Sequence, residues 1–475
     1  MIYSLIKDKA AIRKIFILET LNRGGEMVTS NTLAKQLDCS ARTIINDIYQ
    51  LKSEIPKNWK IRSVKIKGYV LIKPITESIL PIIHSYLSES VIYKIMLGIF
   101  NNKYYTLEKW SQILFMDTTT LRRHKKEYSK TLSKCKLGVK SRELKLHGNE
   151  MNIRYYYITF FKGTEKFVNQ EALPSELRKK LHSILYRNGI QFDYTLLRSI
   201  IFVVINRIFN KHYVNEEIKF NPILTSNELN CYSEIIVVIE SYYGIKLSKT
   251  EKATLNLFFF LGATNVIPPQ RDQRDLIIEY LSKCHSEIYR SYVLLIDGLS
   301  IENRFSNELK EKLKFELISY WYKIFIMNEL NFPISYVFNS EKAISNSLKK
   351  NYKKNISLVS QWDKIFNDKK FNKEEKEYIA ACVTKIISYN TNIRAINILF
   401  LFTGTPLEED LIYIKLQQNL KMNVKIYKNI DSAVEFNLII SNYQIEDNSI
   451  PVIYISDNLS RIEVDSIENF ILGID

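Results

Sequence analysis

Cysteine is scarce in this 475-residue sequence. Cys39, Cys135, Cys231, Cys284 and Cys382 are scattered, with no CxxC pair and no Cys/His cluster. That excludes a disulfide framework and a zinc site, and predicts buried free thiols in a reducing cytoplasm. Long apolar runs are missing too. No uncharged stretch approaches the ~20 residues that a membrane span needs. The N-terminus, MIYSLIKDKAAIRKIFILETL, mixes charges into its apolar positions at helical spacing and has no signal-peptide pattern. There is no Ser-His-Asp array, GxxxxGK loop, HExxH or clustered carboxylate pair. A cytoplasmic protein that is not an enzyme, with no metal and no cofactor, is expected.

What is present is an ordinary globular composition, 46% hydrophobic and 25% charged. The length suits roughly three to five domains. The net charge of +16 is unevenly placed: residues 1–150 hold 27 Lys+Arg against 13 Asp+Glu, and the other 325 hold 40 against 38. A segregated basic block points to a nucleic-acid surface, because Lys and Arg neutralise phosphates and release counterions. Lipid is the weaker alternative, since no amphipathic anchor accompanies the charge.

The basic third contains two similar units. In VTSNTLAKQLDCSARTIINDIYQL, starting at Val28, a short helix is predicted from Asn31 to Gln36. The turn Asp38–Cys39–Ser40 follows, with Ser40 as N-cap of a second helix. Ile44, Ile48 and Leu51 form its buried stripe, leaving Arg42, Asn46 and Tyr49 on another face beside Thr43. A recognition helix needs this arrangement, with donors near its N-terminus reaching base edges. Trp59–Val64 and Tyr69–Ile72 then alternate as two strands around Lys65–Gly68, a wing whose Arg62, Lys65 and Lys67 would touch phosphate. In the second unit, Val91–Phe100 is helical, Thr106 caps a helix through Leu114, and Asp117 or Thr118 caps the next. That next helix turns Leu121, Tyr128 and Leu132 inward and Thr119, Arg123 and Lys126 outward, with Arg122 and Lys125 beside them. Lys/Arg density without Asn or Gln favours phosphate over base contact. CKLGVKSRELKLHGNE closes the unit as a second short hairpin.

Residues 151–390 read as helices at Ile153–Phe161, Ser175–Tyr186, Tyr194–Phe209, Cys231–Tyr243 and Lys249–Gly262, broken at Gly163, Gly189 and Asn221–Pro222. A Pro- and charge-rich linker is predicted at Val266–Asp275. A second set follows at Leu276–Leu295, Ser306–Met327, Glu341–Lys350, Ile356–Phe366 and Lys373–Tyr389. From Ile396 strands (Ile396–Phe402, Val424–Tyr427, Leu438–Ser441, Val452–Ile455) alternate with helices (Leu407–Leu420, Asp431–Glu435, Ile462–Leu472), the pattern of a small parallel α/β domain. Acidic residues outnumber basic ones there, so it is not a second DNA surface.

The segments LAKQLDCSARTIINDIYQL and LHGNEMNIRYYY, with the second unit between them, resemble the Mga/AtxA family of virulence regulators of Gram-positive bacteria. The resemblance runs over essentially the whole chain. It implies two helical regulatory domains of the phosphotransferase-system type (PRDs) in the middle and an enzyme-IIB-like domain at the end. It also implies a phosphoacceptor histidine in each regulatory domain, about twelve residues ahead of an Arg such as Arg207. Thr195 and Thr384 stand at the matching positions, so both acceptors are absent; His182, His212 and His285 lie elsewhere. The loop where enzyme IIB keeps its phosphorylated cysteine reads Thr403–Gly404–Thr405–Pro406, followed by Glu408, Glu409 and Asp410.

The expected fold is mainly α and multidomain. Residues 1–75 form a winged helix-turn-helix, 76–160 a second helix-turn-helix, 161–268 and 269–391 two helical bundles, and 392–475 a small α/β domain. The expected function is activation of transcription of toxin- or capsule-type virulence genes. Promoter DNA and RNA polymerase are the expected partners, and a homodimer would be held by the regulatory and C-terminal domains. An RNA-binding antiterminator or a phosphotransferase-system component is the alternative.

Overall fold

The computed structural model describes residues 2–22, 27–74, 76–140, 142–165, 173–190, 192–215, 222–262, 271–334, 344, 348–367, 370–391, 396–420, 424–429, 434–445 and 450–474. It is mainly helical and multidomain, and among the described residues the strands form two short hairpins and one C-terminal sheet. Two compact units are formed: Met1–Leu294 with Ile318–Ser345 and Ser360–Ile379, and Leu295–Leu317 with Asn346–Val359 and Ala380–Asp475.

In the first unit, α1 (Ile2–Leu5) and α2 (Lys9–Asn22) precede the helix-turn-helix pair α3 (Ser30–Leu37) and α4 (Ala41–Glu54). Strands β1 (Lys60–Val64) and β2 (Gly68–Ile72) pair antiparallel with Lys60 opposite Ile72. Trp59 lies buried just outside the strand. The second unit of the basic third comprises α5 (Leu80–Glu89), α6 (Val91–Phe100), α7 (Leu107–Ile113), α8 (Thr118–Ser133), β3 (Gly138–Val139) and β4 (Leu146–His147). A bundle of α9 (Glu150–Glu165), α10 (Ser175–Arg187), α11 (Tyr194–Phe209), α12 (Ser226–Tyr243) and α13 (Lys249–Gly262) follows.

Helix α9 belongs to two cores. Tyr156 Oη lies 2.8 Å from Tyr128 Oη of α8, and Phe160 stacks on Tyr93 of α6 at 5.5 Å. On the bundle side Phe161 meets Phe202 edge-on at 5.0 Å. Arg154, wholly buried, donates to both oxygens of Glu251 at 2.5 and 2.9 Å, to Glu150 at 3.1 Å and to the His212 carbonyl at 2.9 Å. Arg207 closes the network with two bonds to Glu150, at 2.8 and 2.6 Å.

The second helical set is α14 (Arg271–Cys284), α15 (Ser286–Asn303), α16 (Asn307–Glu329) and the helices Lys349–Phe366 and Lys373–Thr391. Within the first compact unit, Trp321 packs on Tyr292, Trp362 and Phe371 with centroids 5.1–5.3 Å apart.

In the second compact unit the C-terminal sheet has order β6–β5–β7–β8, all parallel: β5 is Ile396–Leu401, β6 Val424–Tyr427, β7 Leu438–Ser441 and β8 Val452–Tyr454. Ile398, Phe400, Leu438 and Ile440 fill its core with Ile412 and Leu416 of the helix Pro406–Asn419, and Ile467 and Ile471 of Arg461–Ile474.

Several expectations need correction. Gly163 does not break a helix: α9 runs through it to Glu165, because one interior glycine costs only about 1 kcal/mol against a fully buried face. Arg271–Asp275 are helical rather than linker, since they are ordinary helix formers beyond the two prolines; 266–270 lie outside the described residues. Leu276–Leu295 is two helices divided at His285, where Nε2 lies 3.2 Å from Tyr280 Oη and the chain restarts at Ser286–Glu287. The helix expected over Ile356–Phe366 begins earlier, at Lys349; of the one expected over Glu341–Lys350, 341–343 and 345–347 lie outside the described residues, as does Asn221. Of Asp431–Glu435, 431–433 are outside them, and Val434 and Glu435 are not helical. All five cysteines are free, but Cys284 is exposed on the polar last turn of α14 and Cys39 half-exposed in the helix-turn-helix turn.

Candidate nucleic-acid interface

Each unit builds its second helix in the same way. Ser40 Oγ accepts from Thr43 N at 3.1 Å and starts α4; Asp117 Oδ2 accepts from Thr120 N at 2.9 Å and starts α8. The preceding turns both pass through the left-handed region, at Asp38 (φ 49°) and Phe115 (φ 50°). Superposing the two caps in register brings Arg42 to Thr119, Asn46 to Arg123 and Tyr49 to Lys126. Inward, Ile44, Ile48 and Leu51 are buried in α4, and Leu121, Tyr128 and Leu132 in α8.

The outward faces carry the residues singled out from sequence. Arg42, Asn46 and Tyr49 on α4 are exposed, Tyr49 to 77%. Thr43 is half-buried, with its hydroxyl 2.8 Å from Ser40 Oγ, so part of its capacity is used in the cap. Arg62, Lys65 and Lys67 are exposed on the wing. On α8, Thr119, Arg122, Arg123 and Lys126 are exposed, whereas Lys125 is half-buried and lines an apolar space with Leu121, Val139 and Leu144. The two faces differ chemically: hydrogen-bonding and aromatic groups on α4, cations on α8.

Other residues fix these faces in place. Arg13 of α2 grips the buried Asp47 of α4 with bonds of 2.6 and 3.1 Å. That hydrogen bond to Asp47 raises the Arg13 pKa above its ordinary value. Lys14 reaches Glu54 at 2.5 Å, and Tyr86 donates to the same carboxylate. Val28 adds a bridge to the wing, bonding Tyr69 in both directions at 3.1 and 2.9 Å. Gly68 makes that approach feasible: its φ is +106°, and a Cβ there would fall 2.4 Å from the Val28 carbonyl oxygen. At the wing tip Ile66 takes φ +70° and is 93% exposed. For a β-branched residue that conformation is strained by about 1–2 kcal/mol. Sequence reasoning missed Arg13, Asp47, Val28 and Ile66. Asp47, an acid set among the apolar inward positions Ile44, Ile48 and Leu51 of α4, was the one available signal.

The two positions matched to phosphoacceptors in the sequence, Thr195 and Thr384, are ordinary helix residues. Thr384 is buried, accepting from Asn355 Nδ2 at 2.9 Å and donating to the Ala380 carbonyl at 2.7 Å. Thr195 is half-buried in the first turn of α11, behind its cap Asp193. His212 Nε2 lies 3.4 Å from Tyr104 Oη, and its pKa is lowered by burial first and by Arg207 second. In the C-terminal domain the Thr403–Pro406 loop is filled by its own side chains. Glu408 accepts from Thr405 N and Oγ1, both at 2.8 Å, and Asn442 bonds Thr403 N and O at 2.8 Å each. Two N–H groups of this loop, those of Thr403 and Thr405, are thus taken by an amide and a carboxylate rather than left for a phosphate. Among the described residues no group of His, Cys, Asp or Glu could hold a metal ion, and no helix is long and apolar enough to cross a membrane.

Comparison with known proteins falls on the same two units. A helix-turn-helix domain matches residues 13–70, and the Mga helix-turn-helix domain matches residues 76–161. The chain is similar to the capsule synthesis positive regulator AcpB of Bacillus anthracis, at 24% identity over 66% of this chain and 64% of that protein. It is similar to the anthrax toxin expression trans-acting positive regulator of the same organism, at 21% identity over 55% of this chain and 56% of that one. The capsule synthesis positive regulator AcpA aligns at 28% identity over 31% of this chain and 30% of its own length. The chain thus spans less than two thirds of the length of each of these relatives. The two matched helix-turn-helix domains, one of them of the Mga type, and these relatives together support the resemblance to the Mga/AtxA family of regulators.

Proposed function

We propose that the protein is a DNA-binding transcriptional regulator, a positive regulator of virulence-associated genes of the toxin or capsule type, as its relatives' names describe them. One observation carries the reading: two capped helices in helix-turn-helix context turn polar and cationic faces to solvent, in the third of the chain that holds nearly all the excess positive charge. Helix α4 reads base edges in the major groove through Arg42, Asn46 and Tyr49, with Thr43 supporting the cap. Helix α8 grips phosphate through Arg122, Arg123 and Lys126, with Thr119 and Lys125 beside them. Arg62, Lys65 and Lys67 add wing contacts. Mobility shift with promoter fragments tests this: Arg42→Ala and Arg123→Ala should each weaken binding about tenfold or more, and unchanged binding of both would sink the site assignment.

The two helical sets act as PRD-like regulatory domains and the C-terminal sheet as an enzyme-IIB-like scaffold without phosphotransfer. Five described helices in each set and an all-parallel sheet support this, as does the Thr403–Pro406 loop, two of whose N–H groups are already bonded to Asn442 and Glu408. Promoter DNA and RNA polymerase are the partners, and the protein acts as a homodimer. The helix Pro406–Asn419 supports dimerisation, because Leu407, Leu411 and Ile414 (70%, 52% and 44% exposed) form an outward apolar stripe at i, i+4 and i+7. A stripe on one helix can meet its own copy about a two-fold axis. Sedimentation of the Leu411→Ser/Ile414→Ser variant should show half the parent's mass; a persisting dimer places the contact elsewhere.

A further inference from the structure

The wing tip carries a residue whose geometry has no return within the chain. Ile66 is 93% exposed, apolar, β-branched and held at φ +70° between Lys65 and Lys67, both exposed. A hairpin needing only a turn there would be better served by Asn or Gly, which adopt that conformation readily. The strands behind the tip are firm: five paired positions from Lys60–Ile72 to Val64–Gly68, and the Val28 bridge at the base. So the tip is presented on a rigid arm roughly 17 Å long, beside the helix proposed to enter the major groove.

From this we propose that Ile66 is an apolar wedge that enters the minor groove and bends the DNA. Lys65 and Lys67 sit on either side of it, and the two phosphate ridges of a minor groove about 6 Å wide flank whatever enters. The lysines take the ridges and the isoleucine meets the base step between them. Apolar side chains inserted in this way unstack a step and kink the duplex toward the major groove. Pyrimidine–purine steps such as TA yield most easily. The wing then selects sequence through deformability, at base pairs where it forms no hydrogen bond.

The inference rests on the DNA-binding reading, and the test separates the two. The probe is a duplex of about 20 base pairs, roughly 68 Å long, with a TA step between A-tracts, carrying donor and acceptor dyes at its ends and mixed with the whole protein at 0.1 M salt. The parent should bind and shorten the end-to-end distance. Ile66→Asn, which suits the backbone, should keep the parent's fold and its salt slope. It should lose the shortening and bind about tenfold more weakly. Ile66→Leu should restore the bend. A parent that binds without bending the duplex, or an Ile66→Asn protein that bends it as the parent does, overturns the wedge and leaves DNA binding intact. A parent that does not bind the duplex at any salt removes both.

Discussion

Replacing Arg154 by methionine is expected to lower the stability of the first compact unit by about 3–5 kcal/mol, the usual consequence of removing one partner from a buried ion pair. The guanidinium is wholly buried, and Glu251, 2% exposed, receives two of its bonds. Without Arg154, Glu251 keeps, among the described residues, the Val214 N–H at 3.1 Å, and a buried carboxylate with one neutral donor is poorly compensated. Glu150 fares better, because Arg207 still donates to both of its oxygens. The double variant Arg154→Met/Glu251→Leu should recover much of the loss, since an apolar replacement of the whole pair leaves no stranded charge. All four tryptophans, Trp59, Trp110, Trp321 and Trp362, fall within this unit, so fluorescence in a urea titration reports on it directly. A single variant within about 1 kcal/mol of the parent, the range of solvated pairs, would show that water reaches the network.

Replacing Arg122, Arg123 and Lys126 together by alanine is expected to flatten the salt dependence of DNA binding. Each phosphate neutralised contributes about 0.9 to the slope of log K against log salt, so the slope should fall by about 2.7 and affinity at 0.1 M salt by several hundredfold, about 10^2.7. The three side chains are exposed, so the fold should be unaffected. The corresponding face of α4 should behave differently. Arg42→Ala with Asn46→Ala removes at most one charge, so its slope should change by about 1 at most while discrimination between sequences falls. Titrations at four salt concentrations, on matched and scrambled promoter fragments, separate the two effects. Equal slopes for parent and triple variant would mean that α8 does not lie against the phosphates.

Much of this architecture was legible because it is periodic or local. Val91–Phe100, Tyr194–Phe209 and Lys249–Gly262 have the bounds that their apolar spacing predicts. Ser40, Thr106 and Asp117 cap the helices they precede, since a cap acts on a backbone N–H three residues away. The wing strands follow from alternation around Lys65–Gly68. What stayed hidden has no period. Arg13 and Asp47 are 34 residues apart, and Arg154 and Glu251 are 97 apart. Any of the chain's 67 basic residues could pair with any of its 51 acids on paper, and only the packed helices choose. Phe115 and Ile66 were hidden for another reason: composition marks both as core residues, and only the backbone angle sets them at exposed turns.

The two-sided packing of α9 has a mechanical consequence. Its sixteen residues make a rod of about 24 Å, with Tyr156 and Phe160 bearing on α8 and α6 while Arg154 and Phe161 bear on α13 and α11. No loop intervenes to absorb a tilt. A rotation of this rod by the bundle would therefore reach the base of the cationic helix as a change of angle, in the manner of a lever with its fulcrum in the shared core. For the same reason the basic third proposed to contact DNA is not a detachable head. A chain cut after residue 160 would lose Phe161 and leave Arg154 without its bundle partner, so gene fusions that graft this head onto another sensor would have to carry the first bundle with it.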